Sequence, residues 1–496
     1  MKRSKFNLSH TQLHTGRMGQ LIPVGVLEVL PGDTVQHAAQ ALIRAAPLAT
    51  PPMHPVRIDV RHFFVPNRLV WEDWENFITG GPDGMNDSVF PTFEAPSTIG
   101  SLFDHLGIPP VGAAVEANVL PIRALMLIYN EFYRDQDLQA EIPISRASGP
   151  DATEYPNQLL VNWEKDYFTT SRPWEQKGPD VTIPIGTSAT GTASISHAIA
   201  GGTEYDIVIG PSDTPGQSSL DLNASPIAPG ELTLDGTVNV DLTTATAATV
   251  NQLRLALALQ RYQEARARFG SRYTEYLRYL GVRSSDARLQ RPEYLGGART
   301  NLQFSEVLST SVDASGETNY PLPGAFGGHG IGANRTNRYR KFFEEHGFVI
   351  SLLSVIPQTM YPNGLFRHWN RRTKEDFFQK ELQHIGQQAV LNKEVTAAHL
   401  DPDELFGYQD RYDEYRRSES QVHGEFRFGS YLDDWHFARN LPTNVALNSA
   451  FVQAQVTDAP FQYRGDEVPA ATLYMAIRHQ IVARRILAQR GSSFIL

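Results

Sequence analysis

The chain contains no cysteine. Disulfides, thiolate metal sites and cysteine nucleophiles are therefore excluded, and stability has to come from packing and subunit contacts. Long hydrophobic runs are also missing. The longest, Phe348 to Ile356, is broken by Ser351 and Ser354, and a bilayer span needs about 20 apolar residues. No membrane partner is expected. Lys2, Arg3 and Lys5 open the chain, but no apolar segment follows, so this is not read as a signal peptide. Catalytic motifs are absent too: there is no G-x-S-x-G, no H-E-x-x-H and no Walker loop. One sign of charge is missing locally, because no Lys or Arg occurs from Gly178 to Leu253.

What is present reads as β structure. The 496 residues carry 38 Gly and 32 Pro, an excess that favours turns and long loops. Length alone suggests about three domains, but one β-sandwich with long insertions absorbs the same length. Leu21 to Leu30 is apolar and ends at Pro31-Gly32-Asp33, a strand and its turn. Val56, Ile58 and Val60 alternate with Arg57, Asp59 and Arg61, so one face of that strand is buried and the other wet. His346 to Ile356 reads as a fully buried strand, and Leu473 to Ile486 as the last long one. Gly424 to Phe428 and Trp435 to Phe437 are short strand candidates. Residues 1–20 look like an extended arm, 283–297 like an ordered loop, and 324–332 like a flexible Gly-rich stretch. Helices are expected over Val115 to Tyr133, Ala248 to Phe269 and Tyr273 to Leu280, from apolar spacings of three and four. Trp71 and Trp74 are read as packing residues.

The part without basic residues is a small acidic module. Between Val181 and Thr249 its acidic residues are Glu204, Asp206, Asp213, Asp221, Glu231, Asp235 and Asp241, with Tyr205 as the one aromatic. Leu232 to Leu242 reads as a hairpin turning at Asp235-Gly236. The expected division is 1–180 and 249–496 for a sandwich core, with 181–248 as a surface insertion. Strand segments far apart in sequence, with few consecutive hairpins, fit a two-sheet antiparallel jelly roll.

No cofactor or metal ligand set emerges. Gly327-Gly328-His329-Gly330-Ile331-Gly332 lacks the spacing and the Lys of a phosphate loop. The 15 His residues are scattered, which does not suggest a metal centre. Asp401-Pro402-Asp403-Glu404 lacks the ligand alternation of a calcium loop. The basic clusters carry more. They are Lys2, Arg3 and Lys5; Arg335, Arg338, Arg340 and Lys341 around Tyr339; Arg367, Arg371, Arg372 and Lys374 around Trp369; and Arg478, Arg484, Arg485 and Arg490. Such residues neutralise phosphates, and aromatics stack on unpaired bases. The plainer reading of any one cluster is a solvated face or an ion pair.

Six blocks carry a resemblance to a known family. They are MGQLIPVGVLEVLPGDT (18–34), HFFVPNRLVWEDWENFITGG (62–81), LPIRALMLIYNEFYRDQ (120–136), DYFTTSRPWEQKG (166–178), RLALALQRYQEARARFGSRYTEYLRYLGVRSSDARLQRPEYLGG (254–297) and ELFGYQDRYDEYRR (404–417). Their wording resembles the major capsid protein of gokushoviruses, small single-stranded DNA phages of the microvirus family. The resemblance leaves out roughly 182–247, and the tail ARRILAQRGSSFIL departs from it. It implies an eight-stranded antiparallel jelly roll of the viral capsid type, with inserted loops and helices. It also implies self-assembly into an icosahedral shell around a single-stranded DNA genome, with assembly in the cytoplasm of a bacterial host. The implied partners are a small basic DNA-binding protein, an internal scaffolding protein, a pilot protein and a bacterial surface receptor. In that family an insertion forms protrusions thought to meet the host, and the acidic module, with Glu204, Tyr205, Asp206, Asp213, Asp221, Asp235 and Gly236, sits in the matching place. Lys2, Arg3, Lys5, Arg335, Arg338, Arg340, Lys341, Arg371 and Arg372 are the expected DNA-facing residues. The rival class, a jelly-roll carbohydrate-binding protein or enzyme, would need a clustered polar site, and none is visible.

Overall fold

The computed structural model describes residues 3–81, 85–179, 181, 250–269, 290–308, 326–461 and 471–488, with short strand segments at 195–198, 204–207, 210–211 and 218–219. It divides into two compact units, Met1–Glu175 with Arg266–Leu496, and Gln176–Ala265. In the smaller unit Ile195–Ala198 pairs antiparallel with Glu204–Ile207, and Gly210–Pro211 pairs with Ser218–Ser219.

The larger unit is built on ten strands. They are β1 (Ser4–Asn7), β2 (His10–Gly16), β3 (Leu21–Val29), β4 (Thr34–Ala45), β5 (Val56–Pro66), β6 (Glu293–Leu308), β7 (Phe326–Arg335), β8 (Tyr339–Phe342), β9 (Gly347–Pro357) and β10 (Leu473–Arg485). The ladder runs β1-β10-β4-β7-β6-β5-β9-β3, with β2 also on β10 and β8 also on β4. Every one of these pairings is antiparallel. The long strand β6 makes the sheet curl. Its first part, to Leu302, pairs with β5, and from Gln303 onward it pairs with β7. The ladder thus folds into two facing sheets, the antiparallel sandwich that the jelly roll requires.

Burial explains which strands are apolar throughout. Every residue of β9 is buried. Val349, Ser351, Leu353 and Val355 point between the sheets. Phe348, Ile350, Leu352 and Ile356 point outward into a second core. That second core lies under helix α2 (Leu120–Phe132), which follows the short helix α1 (Leu102–Leu106). α2 begins with Pro121 in its first turn, where no N–H is needed. Asn118 Oδ1 accepts the Leu120 N–H at 2.8 Å. It buries Ile122, Leu125, Met126, Ile128 and Tyr129, each large apolar side chain worth roughly 1.5–3 kcal/mol. Trp71 is fully buried in the same core, with its indole N–H donating to Ser148 Oγ at 2.8 Å.

Several expectations need correction. Residues 4–16 are no free arm: β1 and β2 both zip along β10. The loop expected at 283–297 gives way to β6 from Glu293, with a bulge between Tyr294 and Gly296, where Gly296 takes φ +132°. The stretch read as flexible is strand β7 from Phe326. Gly330 and Gly332 are there for close approach: a Cβ on Gly332 would sit 2.4 Å from Ile58 Cδ1, and one on Gly330 2.8 Å from Phe304. Val115–Asn118 is a strand paired with Thr92–Ala95, so the helix starts only at Leu120. Gly424–Phe426 is a single 3-10 turn, and Trp435 to Phe437 is irregular. The long helix α3 (Val250–Phe269) agrees with expectation. The expected helix 273–280 and hairpin 232–242 lie outside the described residues.

Candidate nucleic-acid interface

One of the two sheets has an unusual composition. Six of its strands, β1, β2, β4, β7, β8 and β10, contain no Asp or Glu, in a chain that has 54; the β6 segment beside β7 carries Glu306. Alternation sends their basic residues to two faces. Lys341 and Arg485 are partly buried and paired. Lys341 Nζ meets Glu293 at 2.6 Å, and Arg485 Nε meets Asp33 at 3.0 Å. Lys5, Arg44, Arg335, Arg340, Arg478 and Arg484 are exposed on the other face. Among the described residues, none of these six has a carboxylate within salt-bridge distance.

The register sets these cations side by side. Lys5 stands opposite Arg484, and Arg478 stands opposite Gln40 on one side and Thr11 on the other. Arg335 also faces Gln40, and Arg340 faces Gln36. Like charges placed directly opposite each other destabilise a sheet. An outside anion would remove that cost. Hydrogen-bonding Gln and Thr fill the spaces between. Exposed apolar groups share the face, among them Leu42, Ile331, Phe342 and Tyr474. Arg3 lies at its edge, with its guanidinium 5.0 Å from the centre of the Phe342 ring.

The structure therefore brings together Arg3, Lys5, Arg335 and Arg340 from two of the predicted clusters, with Arg338 exposed in the loop just before β8. It removes others. Lys341 is neutralised by Glu293. Arg371 is held by Glu414 at 3.2 Å and rests on the Tyr415 ring. Arg372 is exposed but lies on a loop segment, off this sheet. Lys2 lies outside the described residues. Sequence reasoning missed Arg44 and did not assign Arg478 and Arg484. The signal available was the lack of acidic residues in strands scattered from residue 4 to 485.

The expected host-contact residues Glu204, Tyr205 and Asp206 fall on one strand of the smaller unit. Asp213, Asp221, Asp235 and Gly236 lie outside the described residues. Among the described residues no cluster of His, Asp or Glu could hold a metal ion, and no helix is long and apolar enough to cross a membrane.

Comparison with known proteins agrees with this architecture. The family model described as capsid protein (F protein) matches residues 1–487. The capsid protein VP1 of Bdellovibrio phage phiMH2K is 38% identical over 473 residues, covering 91% of this chain and 88% of the relative. The capsid protein VP1 of Chlamydia phage 1 is 32% identical over 539 residues, covering 92% and 89%. The capsid protein VP1 of Spiroplasma virus 4 is 31% identical, covering 91% and 87%. A mainly β sandwich, a family match along nearly the whole chain and relatives aligned over most of both lengths lead to one conclusion: the chain belongs to the capsid protein (F protein) family of the small single-stranded DNA phages, as a major capsid protein of the gokushovirus kind.

Proposed function

We propose that this capsid protein encloses a single-stranded DNA genome and that the carboxylate-free sheet face is the surface that meets it. The observation that carries the reading is the row of unpaired, exposed Lys5, Arg44, Arg335, Arg340, Arg478 and Arg484 on strands without a single acidic residue. The chain is acidic overall, with a formal charge of -10. Such a concentration of cations is therefore a local feature and not a by-product of composition. Guanidinium and ammonium groups bind phosphates with little regard to sequence. Tyr474 and Phe342, exposed beside them, supply rings for stacking on unpaired bases.

The test is the double charge reversal Arg478→Glu with Arg484→Glu in assembled particles. DNA per particle is expected to fall several-fold while empty shells still form. Full DNA content in those particles would overturn the reading.

The acidic insertion is proposed as the part that meets the bacterial surface. Its freedom from Lys and Arg keeps it away from the genome, and its poverty in aromatics suits an exposed tip better than a buried contact. Deleting about residues 187–245 should leave a foldable subunit and abolish infection; an unfolded product would contradict this. A small basic DNA-binding protein, an internal scaffolding protein and a pilot protein complete the proposed set of partners, with assembly in the host cytoplasm. Co-purification with the shell would test each one.

A further inference from the structure

Under the cationic face, the interior of the sandwich holds a row of histidines contributed by both sheets. His37 of β4, His479 of β10 and His62 of β5 meet between the two sheets, each at most 1% exposed. They separate the two apolar halves of the sandwich interior. On one side lie Ile58, Leu353 and Ile477, and on the other Val35, Phe64 and Ile481. His37 Nε2 is 3.0 Å from His479 Nδ1. His479 Nε2 is 2.7 Å from the Val24 carbonyl on β3, in the facing sheet. His37 Nδ1 is 3.1 Å from the Tyr339 hydroxyl on β8. The His37 and His62 ring centres are 4.5 Å apart, and His62 bonds Ser351 Oγ at 2.8 Å and Thr336 Oγ1 at 3.2 Å. Gly25 makes room for this: a Cβ there would lie 2.7 Å from the His479 ring.

The directions of these bonds follow from chemistry. A carbonyl only accepts, so His479 Nε2–H donates to Val24. In the neutral ring His479 Nδ1 is then the acceptor. His37 Nε2–H donates to it, which leaves His37 Nδ1 to accept the Tyr339 O–H. Every nitrogen of the two rings is used, and each ring is neutral. A proton added at His479 Nδ1 sets donor against donor, and one added at His37 Nδ1 forces the Tyr339 hydroxyl from donor to acceptor. Protonating His479 breaks its bond with His37. Protonating His37 reverses its bond with Tyr339, so that Nδ1–H donates to the hydroxyl oxygen and the buried Tyr339 O–H must find another acceptor.

The charged and titratable neighbours offer no relief. β2 contributes His10, stacked 5.0 Å from His479, and His14. His14 Nδ1 lies 3.2 Å from Nδ1 of His105 on α1. Among the described residues, Asp104 is the carboxylate that acts on His14. Around His37, His62 and His479 the charge effects come from other histidines alone, and burial is the larger cause holding all three below the usual histidine range.

We infer that this directed histidine chain is an acid-operated latch between the two sheets, closed at neutral pH and opened when protons enter it. In an assembled shell, opening the sandwich would loosen the particle in acid. That last step rests on the shell reading, whereas the latch does not.

The experiment uses shells purified without DNA, titrated from pH 7.5 to 3.5. Light scattering and tryptophan fluorescence report shell and subunit opening, and a pH-stat counts protons. A cooperative opening between about pH 4 and 5.5 is expected, because unfolded histidines titrate near 6.5 and the buried ones resist until the fold gives way. It should take up about three protons or more per subunit beyond those of solvent-exposed groups. His37→Gln with His479→Gln keeps donors and acceptors but cannot titrate, and should lower the midpoint by about half a pH unit or more. An unchanged midpoint in this variant would overturn the latch, as would shells that stay closed to pH 3.5. Should the variant not fold, the wild-type proton count decides, and an uptake of about one proton or fewer overturns it. DNA-free shells keep this result separate from the genome-face reading, which is scored by packaged DNA at neutral pH.

Discussion

Arg123 and Asp151 form an ion pair 2.8 Å long with both side chains essentially removed from solvent, 0% and 1% exposed. Arg123 also donates to the Val70 and Ala147 carbonyls. Asp151 accepts from the Tyr155 hydroxyl at 2.9 Å. The pair ties α2 to the loop at 147–155 and closes the second core. Removing one partner leaves a buried charge without its counterpart, which costs more than the pair itself contributes. Arg123→Met should therefore lower subunit stability by about 3–5 kcal/mol in urea unfolding. The double change Arg123→Met with Asp151→Asn should recover part of that loss. A single variant within about 1 kcal/mol of wild type would contradict the assignment.

Strand β7 offers a steric test. Gly332 faces Ile58 and Leu302 so closely that a Cβ would sit 2.4 and 3.1 Å from their side chains. Gly327, five residues nearer the strand start, has its nearest atoms at 3.6 Å. Gly332→Val is expected to cost about 1–3 kcal/mol by overpacking, while Gly327→Ala should be nearly neutral. Thermal unfolding of the two variants side by side checks the contrast. Equal effects would mean that the two sheets do not approach here as described.

These two sites also show what is legible in the sequence. Strands β3, β5, β9 and β10 can be read directly, because their large apolar residues recur at strand spacing or run unbroken. β4 cannot be read this way. Between Val35 and Ile43 its inward side carries His37, Ala39 and Ala41, small or polar residues that interrupt the apolar pattern of a core strand. His37 fits there because Tyr339 and His479 bond both of its ring nitrogens. β7 is hidden for a related reason: glycine signals flexibility locally, yet here it serves contact between layers. The cationic face shows the limit most clearly. Lys5, Arg335 and Arg340 are visible as separate basic runs, but only the antiparallel register sets them beside Arg44, Arg478 and Arg484. The histidine chain draws its members from three strands, β4, β5 and β10, across most of the chain, so no spacing rule could collect them.

His54 gives a pH prediction independent of the latch. Its ring is buried and held by the Gln358 carbonyl at 2.7 Å, and burial pushes its pKa down to about 4. A histidine neutral in the fold but ordinary when unfolded stabilises the native state fully above about pH 6.5, and that contribution is lost as pH falls. Between pH 7 and 5 the loss is about 2 kcal/mol for one such group. His54→Gln should shrink the pH dependence of subunit unfolding by that amount. Urea unfolding at the two pH values measures the effect. An unchanged pH dependence would mean that His54 is already protonated, or exposed, in the folded subunit.

Salt dependence provides the quantitative test of the cationic face. If Lys5, Arg44, Arg335, Arg340, Arg478 and Arg484 each neutralise one phosphate, the logarithm of affinity for single-stranded DNA should fall against the logarithm of salt concentration with a slope near -4, about 0.7 per contact. Dissociated subunits and a labelled oligonucleotide suffice, with fluorescence anisotropy as the readout. Arg478→Gln with Arg484→Gln should flatten the slope by about 1.4 and weaken binding alike across DNA sequences, because phosphates carry no sequence information. Lys341→Gln should leave the slope unchanged, since Glu293 already neutralises that ammonium group. Tyr474→Ala should weaken binding without changing the slope, because stacking on a base releases no counterion. A flattened slope for Lys341→Gln, or none for the double arginine variant, would place the DNA on another surface of the subunit.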